Sequence, residues 1–220
     1  LIDGTGVVAT NSSDVQFKGG GSIEVNKTPA EGIYNYALES LNSASLQFNN
    51  ADSIKGNIAA FNGGKVSLGL TKDTASWTGV MHDFNGTSTV TLKNGATWNN
   101  ELWGPTYDTA GTFAGSVIDT FVGGSDAATA GNIYQNDSNA LTLSNYSGWT
   151  NVYYAHEDGT PTIMIGGDTI IDSALAGSGI TLLTQNNGVT EANVANVLNA
   201  LAQKLTYTAN NSNLTGKVAI

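Results

Sequence analysis

Cysteine and arginine are both absent from this 220-residue chain. The first absence excludes disulfides, thiolate nucleophiles and cysteine-based zinc sites. The second leaves Lys as the only cation: 8 basic residues stand against 18 acidic ones, for a formal net charge of −10. Nucleic-acid binding needs a basic footprint, which this chain lacks, and an anionic membrane surface is disfavoured for the same reason. Charged residues make up only 12% of the chain, against a usual ~25%. Proline is scarce, with 3 residues. No apolar run approaches the ~18 residues of a membrane span, so no direct membrane insertion is expected. Leu1-Ile2-Asp3-Gly4 is not the basic start of a signal peptide. Both ends read as the middle of a repeat, which predicts that residues 1–220 are a single segment of a longer polypeptide.

What the chain has instead is 27 Gly and abundant Asn, Thr and Ser. Small polar residues with few helix formers predict an all-β chain rich in turns. The stretch Ser76–Asn99 shows the pattern most clearly. Trp77-Thr78-Gly79 opens it, Val90 and Leu92 alternate with Thr89, Thr91 and Lys93, and Asn94-Gly95-Ala96-Thr97-Trp98 closes it. Alternation with a period of two, ended by Asn-Gly, reads as a short strand and a tight turn.

Similar pairs recur: Val15 and Phe17, Ile23 and Val25, Leu46 and Phe48, Val66 and Leu68, Val90 and Leu92, Leu141 and Leu143, Ile163 and Ile165. From Ile23 onward most intervals are 20 to 25 residues. The interval of 51 before Leu141 (141 − 90) reads as two repeats with one member obscured. Recurrence at this period marks a solenoid of stacked coils, each burying its apolar face on its neighbours. Asn62-Gly63-Gly64, Asn85-Gly86, Asn94-Gly95, Gly123-Gly124 and Gly166-Gly167 are the expected corners.

Two regions break the rhythm. Asn99–Gly115 reads as a longer loop whose Trp103 and Tyr107 either fold back on the wall or form an exposed contact patch. In residues 190–205 the apolar positions Val194, Val197, Leu198, Leu201 and Leu205 follow helical spacing. They predict one amphipathic α-helix, N-capped by Thr190 and packed outside the stack between two coils.

Chemistry-bearing constellations are sparse. His82 beside Asp83, and His156 beside Glu157 and Asp158, are neighbours in sequence only, whereas catalytic partners meet in space. No Gly-x-Ser-x-Gly elbow occurs. Glu24 with Asp52, or Asp168 with Glu191, could sit one coil apart as a carboxylate pair, but nothing singles them out. Gly123-Gly124-Ser125-Asp126 and Gly166-Gly167-Asp168 fall short of the calcium-binding nonapeptide. They read as aspartates bonding their own backbone at a corner. No catalytic residue, metal or cofactor is therefore assigned. Trp103, Tyr107, Tyr153 and Tyr154 remain as candidate ligand contacts, on the expectation that they share one open face.

The frame Trp77-Thr78-Gly79 followed by Val90-Thr91-Leu92-Lys93-Asn94-Gly95-Ala96-Thr97-Trp98 resembles the passenger domains of bacterial autotransporters. The stretch from Gly123-Gly124 through Asn145-Tyr146-Ser147-Gly148 to Gly166-Gly167 is similar to large surface autotransporters of Gram-negative anaerobes. The resemblance implies a right-handed parallel β-helix, export through a C-terminal outer-membrane barrel, and display on the cell surface. It implies adhesion or biofilm formation more often than catalysis, with other cells, host surface molecules or glycans as partners, or self-association. Two alternatives stand beside it: a carbohydrate-binding or carbohydrate-degrading β-helix, and a passive stalk.

Overall fold

The structure is a computed structural model that describes residues 2, 4–28, 36–104, 113–208 and 213–220. It is mostly β, and its long sheets are parallel, as in a β-helix or solenoid. The first sheet has four strands: Val7–Ala9, Tyr36–Leu41, Asn57–Phe61 and Met81–Phe84. The second has eight: Asp14–Phe17, Ser45–Phe48, Lys65–Leu70, Thr87–Leu92, Gly115–Val122, Ala140–Ser147, Thr169–Ala174 and Leu205–Tyr207. The third also has eight: Ser22–Glu24, Ser53–Lys55, Ser76–Thr78, Thr97–Asn100, Gly131–Gln135, Trp149–Tyr154, Ser178–Thr184 and Leu214–Ala219. The chain visits the walls in turn, and each visit adds one strand beside that of the previous winding. One extended apolar core runs between the walls, from Leu38 and Leu46 at one end to Ile180 and Leu182 at the other.

The alternation read from sequence is realised as burial. In Thr87–Leu92 the side chains of Ser88, Val90 and Leu92 are buried while Thr89 and Thr91 are partly exposed. Trp77 and Trp98 stack inside at 4.5 Å and 7°. Each indole N–H donates to a glycine carbonyl one winding back, Trp77 to Gly56 and Trp98 to Gly79. That gives the Trp-x-Gly frame its physical reason. A Cβ on Gly79 would lie 2.1 Å from the Gly56 oxygen, and its φ is +149°. Only glycine lets the corner pass that close. At the corner between the first and second walls, Asn42, Asn62 and Asn85 stack with φ of 53°, 51° and 56°, the left-handed region Asn tolerates best among residues with a side chain.

Among the described residues the first wall has four strands, Met81–Phe84 being the last. The backbone N–H of Met81, on its last strand, is met by Ser116 Oγ at 3.1 Å. Ser116 in turn donates to Asn100 Oδ1 at 2.7 Å, and Asn100 donates to Gln135 Oε1. This buried polar chain satisfies groups that a further strand would have paired. Higher up, the side chains closing the core belong to other elements: the antiparallel pair His156–Glu157 and Thr160–Met164, then the helix Val194–Ala202.

Several sequence expectations need correction. The helix does not pack outside the stack, because Val197 and Leu201 are fully buried in the shared core. It spans 194–202 rather than 190–205, since Leu205 already belongs to a strand. Its N-cap is Asn193, not Thr190; Thr190 lies in the preceding turn, its carbonyl accepting from Val194 N–H and its own N–H donating to Asn193 Oδ1. Ile163 and Ile165 are not core positions. They are 49% and 48% exposed, and Leu141 pairs instead with Thr169. Ile23 pairs with Ile54 on the third wall, not with Leu46 on the second. Val90 pairs with Leu68 and Leu92 with Leu70, two residues off the spacing read from sequence. The obscured member of the 51-residue interval is Gly115–Val122, paired on both sides.

Candidate functional site

Of the four aromatics singled out from sequence, the three that are described do not share a face. Trp103 folds back on the wall: its indole N–H donates to Val25 O at 2.9 Å, its backbone N–H to Asn57 Oδ1 at 3.0 Å, and Lys27 Nζ sits 4.9 Å from the ring centre. Tyr107 lies outside the described residues. Tyr153 and Tyr154 are adjacent on one strand and therefore point to opposite sides. Tyr154 is an interior residue at 1% exposure, its hydroxyl 2.7 Å from Thr169 Oγ1. Burial pushes its phenol pKa up. Tyr153 points outward and stacks on Tyr134 of the preceding winding at 4.7 Å and 12°.

Around Tyr153 the outer surface of the third wall carries an organised strip. Trp149, Asn151 and Tyr153 occupy alternate positions of one strand, each partly exposed. Asn151 pairs in register with Asn132 and donates to its Oδ1 at 3.0 Å; Asn132 donates to Gly95 O at 3.1 Å. Trp149 lies against Gly179 of the next winding, where a Cβ would meet indole carbons at 2.4 Å. Lys217 Nζ is 5.6 Å from the centre of the same ring. Trp149, Tyr134 and the two asparagines were not singled out in the sequence. Their common face depends on a register between windings of unequal length.

The titratable constellations resolve differently. Glu24 and Asp52 take separate lysines, Lys55 at 3.2 Å and Lys72 at 2.7 Å. Asp168 is 3.4 Å from Lys204. Asp126 accepts from Thr129 N at 2.9 Å and from Thr129 Oγ1 at 3.0 Å. Those bonds hold its carboxyl below the usual range, and they are the corner bonding expected of it. His82 Nδ1 is 3.0 Å from Tyr36 OH, and Phe61 and Phe113 pack edge-on to its ring. His156 is 8% exposed, and its Nε2 has no hydrogen-bond partner among the described residues.

One carboxyl pair escaped the sequence. Asp83, on the last strand of the first wall, meets Asp119 of the next winding. Burial first, then the hydrogen-bonded Asp119 carboxyl, push Asp83 up to about 6. Asp119 Oδ2 already accepts from Ser88 N–H at 2.7 Å, and Gly86 N–H donates to Asp83 Oδ1 at 3.0 Å. Asp83 Oδ2 is buried and makes no hydrogen bond of good geometry among the described residues. No cluster of three or more His, Cys, Asp or Glu suited to a metal occurs among the described residues. No helix of the described residues is long and apolar enough to cross a membrane. No family model, curated protein or solved structure matches the chain.

Proposed function

We propose that this chain is a non-catalytic segment of an autotransporter-type passenger, a right-handed parallel β-helix displayed on the bacterial surface and making contacts with other cells or surfaces. One observation carries the reading: parallel walls up to eight strands long whose outward positions are largely Thr, Ser and Asn, as in Ser76, Thr78, Thr97 and Asn99. Such a wall repeats one kind of weak polar contact at every winding, and linked weak contacts gain strength through effective concentration. The acid pair at Asp83 and Asp119 serves the junction of two walls, because it lies at the end of the first sheet and bonds to the backbone of its own corner. In this reading the segment is held outside the cell by a C-terminal outer-membrane barrel.

The test is deletion of residues 1–220 from the displayed protein, with display of the remainder checked by antibody. Cell–cell or cell–surface attachment is expected to fall. Attachment equal to that of the parent would contradict the reading and leave a passive stalk.

A further inference from the structure

The eight strands of the third wall contain a single acidic residue, Glu24, and Lys55 pairs with it at 3.2 Å. In a chain with 18 acids this wall is close to uncharged. Its middle holds the outward strip: Trp149, Asn151 and Tyr153 on one strand, Asn132 and Tyr134 on the strand before, and Lys217 beyond. Alternate residues of a strand lie roughly 7 Å apart, so the three residues of the first strand span roughly 14 Å. That length accommodates two to three pyranose rings.

The chemistry of the strip suits a neutral polyol. The Trp149 indole lies along the wall because Gly179 beneath it has no side chain; the exposed Lys217 side chain reaches over the same ring, its Nζ 5.6 Å from the centre, and a sugar packing its apolar C–H face on the indole displaces that flexible chain. Tyr134 and Tyr153 occupy each other's faces and so offer ring edges and hydroxyls. Neither hydroxyl has a hydrogen-bond partner among the described residues, and Asn151 Oδ1 has none either. Together they supply donors and acceptors at fixed spacing. An anionic polymer finds only Lys217 near the strip, and a basic one finds no unpaired carboxylate on these strands.

We propose that the outward strip Trp149–Asn151–Tyr153, with Asn132 and Tyr134, is a binding site for an uncharged polysaccharide, the sugar chain lying along the strand with one ring on Trp149. This narrows the adhesive reading to one ligand class and rests on it only for its biological setting.

The test is electrophoresis of the purified chain through gels containing hydroxyethylcellulose, xylan or mannan, with polygalacturonate as the anionic probe. At least one neutral polymer should retard the protein. Tyr134→Ala/Tyr153→Ala should weaken that retardation at least tenfold, and Gly179→Ala should do the same by lifting the indole while every ring is kept. Phe84→Ala, at a 53% exposed aromatic elsewhere, should leave it unchanged, and near-ultraviolet circular dichroism should show each variant folded. Retardation by polygalacturonate alone, by no polymer, or equally in all variants would overturn the proposal. So would a concentration-dependent dimer dissolved by the tyrosine changes without glycan retardation, which would give the strip to self-association. Loss of attachment on deletion, with no glycan retardation, would sink this inference and leave the adhesive reading standing.

Discussion

Asp83 shows how a single side chain ties pH to the joint between walls. An unfolded Asp titrates near ~3.9, whereas burial and Asp119 raise Asp83 in the fold to about 6. Between those values the folded chain keeps a proton that the unfolded chain has released. The group's effect on stability is therefore absent below about pH 4, becomes unfavourable as pH rises to about 6, and stays unfavourable above. Asp83→Asn removes the titration and keeps the size. The urea midpoint of the variant, relative to the parent, should climb between pH 4 and 6 and then level off. A difference that is flat across that window, or that shrinks, would contradict the assignment. Asp83 could be read in the sequence only as a neighbour of His82. Its real partner comes from the next winding, across a segment whose length hides the register.

At the scale of elements, the helix Val194–Ala202 stands where lower windings have a strand of the first wall. A nine-residue helix is marginal alone, so its stability comes from the buried stripe of Val197 and Leu201. Leu201→Ala should cost about 2–5 kcal/mol, whereas Ile163→Ala, at a half-exposed position, should stay within about 0.5 kcal/mol. Chemical denaturation of both variants checks this; equal losses would contradict the core drawn here. Helical spacing was legible because Val194, Val197, Leu198 and Leu201 repeat at a period strands cannot use. Its location was not legible: an apolar stripe says that a face is buried but not against what. The same limit explains Ile163 and Ile165. Their alternation is real, but Ile163 sits on an antiparallel pair and Ile165 just past its end, rather than in the parallel stack.

At the scale of the molecule, stacking was legible and register was not. Short alternating strands between Asn- and Gly-rich corners fix the kind of repeat, since each winding needs a neighbour to cover its apolar side. They do not say which wall a strand joins. Ile23 and Leu46 look alike yet lie on different sheets, and windings that carry a loop, a hairpin or a helix between walls depart from any constant period. The aromatic strip on the third wall depends on that register, which is why only Tyr153 of its members was foreseen.

Register across the Trp103 loop is therefore the most direct test, and a chain without cysteine makes it clean. Thr97 pairs with Asn132, and Asn132 with Asn151. Neighbouring strands lie ~4.8 Å apart, within the ~4.4–6.8 Å Cα separation of a disulfide, while strands two windings apart are roughly 10 Å away and beyond it. Thr97→Cys/Asn132→Cys should oxidise to an intramolecular disulfide, seen as a mobility shift on a non-reducing gel and a peptide link by mass spectrometry. Thr97→Cys/Asn151→Cys should stay reduced under the same conditions. A link in the second pair, or none in the first, would contradict the stacked windings.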